Sequence, residues 1–183
     1  MAARTGPERD GPRARQHPQR GRAVNWLLLL NALYFLFGAT MYVGTMWVLK
    51  FFLYPTWESL DRGNVDMHFG IPTRQATKFF TVVVPPMFIS GIILAWTEWG
   101  TVRLIPAALC LVGIIVLTVV GQAMIIPVNI RIRGGDFADD AELRSLLRRW
   151  MLLNDIRFYV STLTWLAIVW LLVDRGRLWE AFA

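Results

Sequence analysis

The chain is poor in the residues that most often hold metals and haem. Among 183 residues there are one cysteine and two histidines. Cys110 alone excludes an internal disulfide and a cysteine-based zinc site. His17 sits in an Arg-, Pro- and Gly-rich stretch and His68 in a loop. A haem gripped by paired histidines between membrane helices therefore lacks its ligands. Charge is also scarce, at 17% of residues. No glycine-rich phosphate loop and no nucleophile–base pair occurs. Glu58, Asp61, Asp66 and His68 share one loop, but their spacing matches no metal motif, and solvated loop charges are the simpler reading. Asp136, Asp139, Asp140 and Glu142 offer a second acid cluster. There a capped helix, acidic at its start and basic at its end, fits the helix dipole better than a cation site does. These residues indicate neither a metal nor a cofactor.

What the chain has instead is apolar length. Apolar residues make up 55% of it, above the roughly 45–50% of soluble domains. The excess lies in segments 24–53, 75–97, 102–130 and 150–173. At about 20 residues per span, these predict an all-α, integral membrane four-helix transmembrane bundle. Residues 1–22 read as a disordered basic tail, 23–175 as the four-span domain and 176–183 as a short C-terminal tail. The first apolar run is too long for a signal-peptide core and no small-residue cleavage site follows it. Arg4, Arg9, Arg13, Arg15, Arg20 and Arg22 dominate the tail. Without aromatics to stack on bases, that tail suits anionic lipid headgroups rather than nucleic acid. Membrane lipids are the expected partners, and the bacterial inner (cell) membrane is the expected location. Apart from Arg157 within the fourth span, lysine and arginine divide equally between the two sides, nine on each, so the positive-inside rule sets no orientation.

The first span carries Asn31, Tyr34, Gly38 and Thr45 near one face, with Tyr42 beside it, which is either a helix seam or a pocket wall. Lys50 closes that span, placed to snorkel. Tyr54, Trp57 and Phe69 predict a loop that lies on the interface or folds back over the bundle. Pro85-Pro86 predicts a kink in the second span with freed carbonyls. Gln122 and Asn129 share a face of the third span. Residues 138–149 predict a short helix in the loop before the fourth.

The fourth span is the anomaly. Trp150, Asn154, Arg157, Ser161 and Thr164 recur at steps of four, three, four and three, so they form one polar stripe on an apolar helix. Lipid cannot satisfy that stripe, so it must face protein, a cavity or water. Arg157 needs an acceptor from another span or a loop. Asp155, two residues away, cannot face it and reaches towards Tyr159 or Arg148. The loop-rich side gathers Tyr42, Lys50, Gln75, Gln122, Asn129, Arg131, Asn154, Asp155, Arg157 and Tyr159. Three readings stand beside one another. The group is a structural girdle, a transport path, or a pocket in which Arg157 and Asn154 act on a hydrophobic small molecule oriented by Trp150, Gln122, Asn129, Tyr34 and Tyr42.

Two short motifs bear on the choice. Pro127-Val128-Asn129-Ile130-Arg131 ends the third span, and Trp150-x3-Asn154-x2-Arg157 opens the fourth. In this order they resemble the anthrone-oxygenase-like family of small four-helix membrane proteins. The resemblance covers the second half of the chain, and the first half in architecture only. It implies an oxygenase-like protein that binds or oxidises a hydrophobic aromatic or quinone-like molecule near the loop-rich side. Members often carry His where this chain has Asn154. A His-dependent step here would fall to His68. The alternative function is a non-catalytic accessory subunit of a larger membrane protein complex, which the tryptophans at both ends and the basic tail also suit.

Overall fold

The computed structural model describes residues 18–176, and within them there is no strand. Four helices are long and apolar enough to cross a membrane: α1 (Asn25–Trp57), α2 (Asp66–Thr97), α3 (Leu104–Gly134) and α4 (Asp140–Arg175). The helix that contains α1 begins at Pro18. Residues 1–17 and 177–183, the rest of the two predicted tails, lie outside the described residues. Each helix packs on the next in chain order, and α4 closes the ring against α1. Large apolar side chains such as Leu30, Phe37, Val82, Ile92, Val112 and Leu163 cover the outside. In water such a surface would be a liability; in a bilayer it is the solvated face.

The helices are longer than their apolar cores. The predicted loop helix over 138–149 is not separate: it runs into the fourth span without a break, giving one helix of 36 residues. Asp139 caps it, its side chain accepting from the Glu142 backbone N–H at 2.8 Å. Glu142 in turn accepts from the Ala138 N–H at 2.7 Å and from Arg131 at 2.9 Å. That is capping-box logic, and it gives these acids a helix-starting role. Gly135 lets α3 turn sharply into this cap, since its φ of +68° is a left-handed conformation that glycine adopts without cost.

Three stretches are wound more widely, as π-helix: Leu49–Leu53, Asp66–Gly70 and Val120–Ile125. Each ends two residues before a proline, namely Pro55, Pro72 and Pro127. A proline cannot donate to the carbonyl four residues back and its ring collides there, and a wider turn relieves both conflicts. Pro85 and Pro86, expected to kink the second span, sit inside continuous α-helix.

The bundle is tight at the end away from the long connections. Asn31 Nδ2 donates to the Ser90 carbonyl at 3.2 Å, and Ser90 Oγ donates to the Asn31 carbonyl at 2.8 Å. Gly38 faces Met87, and Gly113 faces Thr164, so closely that a methyl group has no room at either glycine. Small residues allow this approach, as is usual between membrane helices. The turn between α2 and α3 is clamped by Glu98, 3% exposed, which pairs with Arg175 at 2.5 Å and Arg103 at 3.0 Å.

At the other end the first connection folds back over the bundle. Trp57 and Phe69 are buried, and with Trp150 they make edge-on ring contacts at centroid distances of 5.0–5.2 Å. Trp57 Nε1 donates to the His68 carbonyl at 3.0 Å. Arg62 reaches the Phe137 and Ala138 carbonyls and ties this cap to the α3–α4 turn.

Candidate functional site: a cavity around Arg157

Between the tight end and the aromatic cap the helices enclose a cavity of about 950 Å³. That is near the upper end of small-molecule sites, about 300–1,000 Å³. Its walls come from all four helices and are mostly apolar, with Met41, Leu49, Phe80, Val84, Leu117 and Ile125 among them. Tyr42, Gln122, Asn129, Trp150, Asn154 and Arg157 also line it.

The stripe on α4 organises the polar wall. Trp150, Asn154, Ser161 and Thr164 are buried and Arg157 is half-buried. Ser161 and Thr164 bond carbonyls of their own helix and belong to the packing. The upper members form a hydrogen-bonded chain. Trp150 Nε1 donates to Asn129 Oδ1 at 2.7 Å. Asn154 Nδ2 donates to the Trp150 carbonyl at 2.9 Å. Arg157 Nη1 donates to Asn154 Oδ1 at 2.8 Å. Arg157 Nε donates to the Tyr42 hydroxyl at 2.9 Å, and Nη2 donates to the same oxygen.

Two features of this chain matter for chemistry. First, every acceptor on Arg157 is neutral. Among the described residues no carboxylate lies within ion-pair distance of it. A guanidinium carries five N–H donors, and only three are engaged, so two remain. Second, arginine cannot accept a hydrogen bond, so the Tyr42 hydroxyl keeps its own proton for another partner. The neighbouring threonines offer little competition. Thr40, Thr45, Thr73, Thr77, Thr81 and Thr118 all line the cavity, yet each donates its hydroxyl to the carbonyl four residues back. Gln122 is exposed, and its side chain makes no hydrogen bond to a described residue. At the Arg157 level the uncommitted polar groups are thus the cation, the Tyr42 proton and the Gln122 amide.

Six of the seven residues predicted to form a site therefore surround one cavity. Tyr34 does not. Its hydroxyl donates to the Val83 carbonyl at 3.1 Å, where α1 and α2 are still in contact beyond the cavity. Asn129 and Trp150 are at the cavity wall, where Asn129 Oδ1 and the Trp150 N–H are used on each other.

Other placements differ from expectation. Asp155 pairs with neither Tyr159 nor Arg148: it holds Lys50 of α1 at 2.8 Å. Lys50 does not snorkel away, and its ammonium lies 5.0 Å from the Phe158 ring centre. Gln75 and Tyr159 point outward, and Arg131 is engaged with Asp136 and Glu142 at the surface. His68 is exposed in the first, widened turn of α2 and does not line the cavity, so it does not stand in for a histidine at Asn154. The threonine ladder 73–77–81 was the main missed feature; its four-residue spacing along the second span is the signal that could have found it.

Comparison with family models, curated proteins and solved structures finds no match to this chain.

Proposed function

We propose that this integral membrane protein binds a hydrophobic aromatic or quinone-like molecule in the α1–α4 cavity, with an acidic or carbonyl oxygen of the ligand on Arg157. The observation that carries the reading is a half-buried cation with two spare donors, no carboxylate partner among the described residues, and a large apolar chamber in front of it. Left alone, such a charge is costly at membrane depth. A ligand oxygen completes it. Tyr42 supplies a proton to the same oxygen, and Gln122 can fix a second polar group.

The chemistry this arrangement favours is ionisation of the ligand. A cation beside a phenol or an enolisable ring position stabilises the anion, the principle of an oxyanion site. For an anthrone-like ligand the anion is the electron-rich form that dioxygen oxidises. The ring CH2 becomes a carbonyl with one oxygen atom, and the other leaves in water. Binding is the first claim, and oxidation is a second claim built on it.

The test is equilibrium binding of 1,8-dihydroxyanthraquinone to the protein in lipid nanodiscs, read by tryptophan fluorescence. A hydrogen bond to a charged group contributes about 1.5–3 kcal/mol, so Arg157→Gln should weaken binding roughly ten- to a hundredfold. Tyr42→Phe should weaken it less. Absence of saturable binding, or equal affinity in Arg157→Gln, would reject the reading.

A further inference from the structure

We propose that the cavity has a second polar pole, the Asn129 side-chain amide, and that the ligand carries two oxygens at opposite ends of a flat apolar body. One oxygen rests on Arg157 and Tyr42, and the other accepts from Asn129 Nδ2. The inference rests on the Arg157 site described above and narrows its ligand to a two-ended carbonyl compound, such as a quinone with its oxygens across the ring system.

The first observation is an unused donor on a buried side chain. Asn129 is 5% exposed. Its Oδ1 accepts from Trp150 Nε1 at 2.7 Å. An indole has only an N–H to offer, so the amide turns its oxygen to Trp150 and its NH2 away. The Asn129 backbone carbonyl is also used, by Arg133 Nε at 3.1 Å. Nδ2 makes no hydrogen bond to a described residue. Yet no fully enclosed side-chain nitrogen or oxygen among the described residues lacks a partner. Nδ2 therefore keeps open surface, and the open space at Asn129 is the cavity. A buried amide donor left without a partner is costly, and a ligand carbonyl completes it.

The second observation is that the neighbouring donors are spent. At the capped end of the cavity Trp57 Nε1 donates to the His68 carbonyl. Thr73 and Thr77 donate to carbonyls of α2. Trp150 Nε1 is held by Asn129 itself. Among the described residues lining that end, Asn129 Nδ2 is the side-chain N–H left to a ligand.

The third observation is the separation of the two poles. Helices α3 and α4 run antiparallel: Gly113 abuts Thr164 near the tight end, and Asn129 meets Trp150 near the cap. Arg157 is seven residues beyond Trp150. Seven residues of helix rise about 10 Å, so the poles lie along the cavity rather than side by side. One oxygen cannot reach both, and neither can two oxygens on adjacent carbons. Oxygens on opposite sides of a ring system can, with an N–H···O bond of about 3 Å at each end. The rest of the wall is mostly apolar, with Leu49, Phe80 and Ile125 in it, and suits the ring body. The far pole also sets a preference. An amide donor favours a carbonyl and gives nothing to a CH2 group, so the oxidised, two-carbonyl form of a ligand binds more tightly than the reduced form.

The test compares two probes that differ in one oxygen, 1,8-dihydroxyanthraquinone and 1,8-dihydroxyanthrone, bound to the full chain in nanodiscs under argon. Both carry the same phenol-flanked carbonyl for Arg157. Only the quinone has a carbonyl across the ring. The readout is the ratio of the two Kd values, compared between proteins, in which general damage to the wall and unequal partitioning into lipid cancel. A neutral hydrogen bond corresponds to about a three- to tenfold change in affinity, so Asn129→Leu should shift the ratio against the quinone by that factor. This change strands the Trp150 N–H, so Asn129→Leu combined with Trp150→Phe is the second variant, and it should shift the ratio equally. Arg157→Gln should weaken both probes and leave the ratio within about twofold, as separate sites do. A ratio unchanged in both Asn129 variants would overturn the second pole, leaving Asn129 to serve Trp150 alone and the Arg157 site in place. A ratio shifted by Arg157→Gln instead would put the far oxygen on the arginine and also overturn the pole. No saturable binding of either probe by the unaltered protein would overturn both readings.

Discussion

Replacing Arg157 by Gln separates a residue kept for binding from one kept for holding the bundle. The arginine makes three hydrogen bonds to neutral acceptors, one to Asn154 and two to Tyr42. Hydrogen bonds from a charged donor contribute about 1.5–3 kcal/mol each at most, less when two share one acceptor. Against them stands the cost of holding a guanidinium half out of water with no counter-charge, which is several kcal/mol for a fully buried ion. The two terms are of similar size. A glutamine keeps a donor for Asn154 Oδ1 and an acceptor for the Tyr42 hydroxyl, and it removes only the charge. Without ligand, Arg157→Gln should therefore unfold within about 1 kcal/mol of the unaltered protein, or be slightly more stable. For a chain of this size that is a shift of roughly 2–4 °C. The assay is thermal unfolding in nanodiscs, with and without 1,8-dihydroxyanthraquinone. Added probe should raise the midpoint of the unaltered protein and not that of the variant, because only a state that binds ligand is stabilised by it. A fall of more than about 3 kcal/mol without ligand would refute the reasoning. It would make Arg157 part of the structural girdle.

Two further changes test the frame around the site. Trp150→Phe should cost about 1–3 kcal/mol, because it strands the buried Asn129 Oδ1; the double change with Asn129→Leu should recover most of this, as measured by unfolding of the three variants. Gly113→Ala would put a methyl 2.0 Å from Thr164 Oγ1 and should destabilise by about 1–3 kcal/mol. Adding Thr164→Ala should relieve part of it, a coupling that a double-mutant cycle reads directly.

The stripe on α4 was legible in the sequence because helical spacing alone puts 150, 154, 157, 161 and 164 on one face. The four spans were legible for the same local reason; Tyr54, Trp57 and Phe69 left two placements open, on the interface or folded back, and the burial of Trp57 and Phe69 is the second. What escaped was of two kinds. Long-range pairing has no local signal, so Lys50 with Asp155, Arg62 with the α3–α4 turn and Glu98 with Arg175 were not read. Charge also misled: the acidic and basic residues over 138–149 suggested a separate loop helix, although nothing in them stops a helix. The prolines carried more than was taken from them. At 55, 72 and 127 they mark widened turns, while the conspicuous pair at 85–86 leaves its helix uninterrupted. Tyr34 shared a face with plausible pocket residues, but that face meets α2 before the cavity begins.

The central claim is that Arg157 holds an oxygen that carries, or shares, negative charge. The most direct measurement is the ionisation of bound 1,8-dihydroxyanthraquinone, followed by its absorbance as pH is raised. A cation beside the phenol favours the anion, so the bound probe should ionise at lower pH in the unaltered protein than in Arg157→Gln. One unit of separation corresponds to about 1.4 kcal/mol, and a separation of at least that is expected. Equal ionisation in the two proteins, or a higher value in the unaltered one, would contradict it.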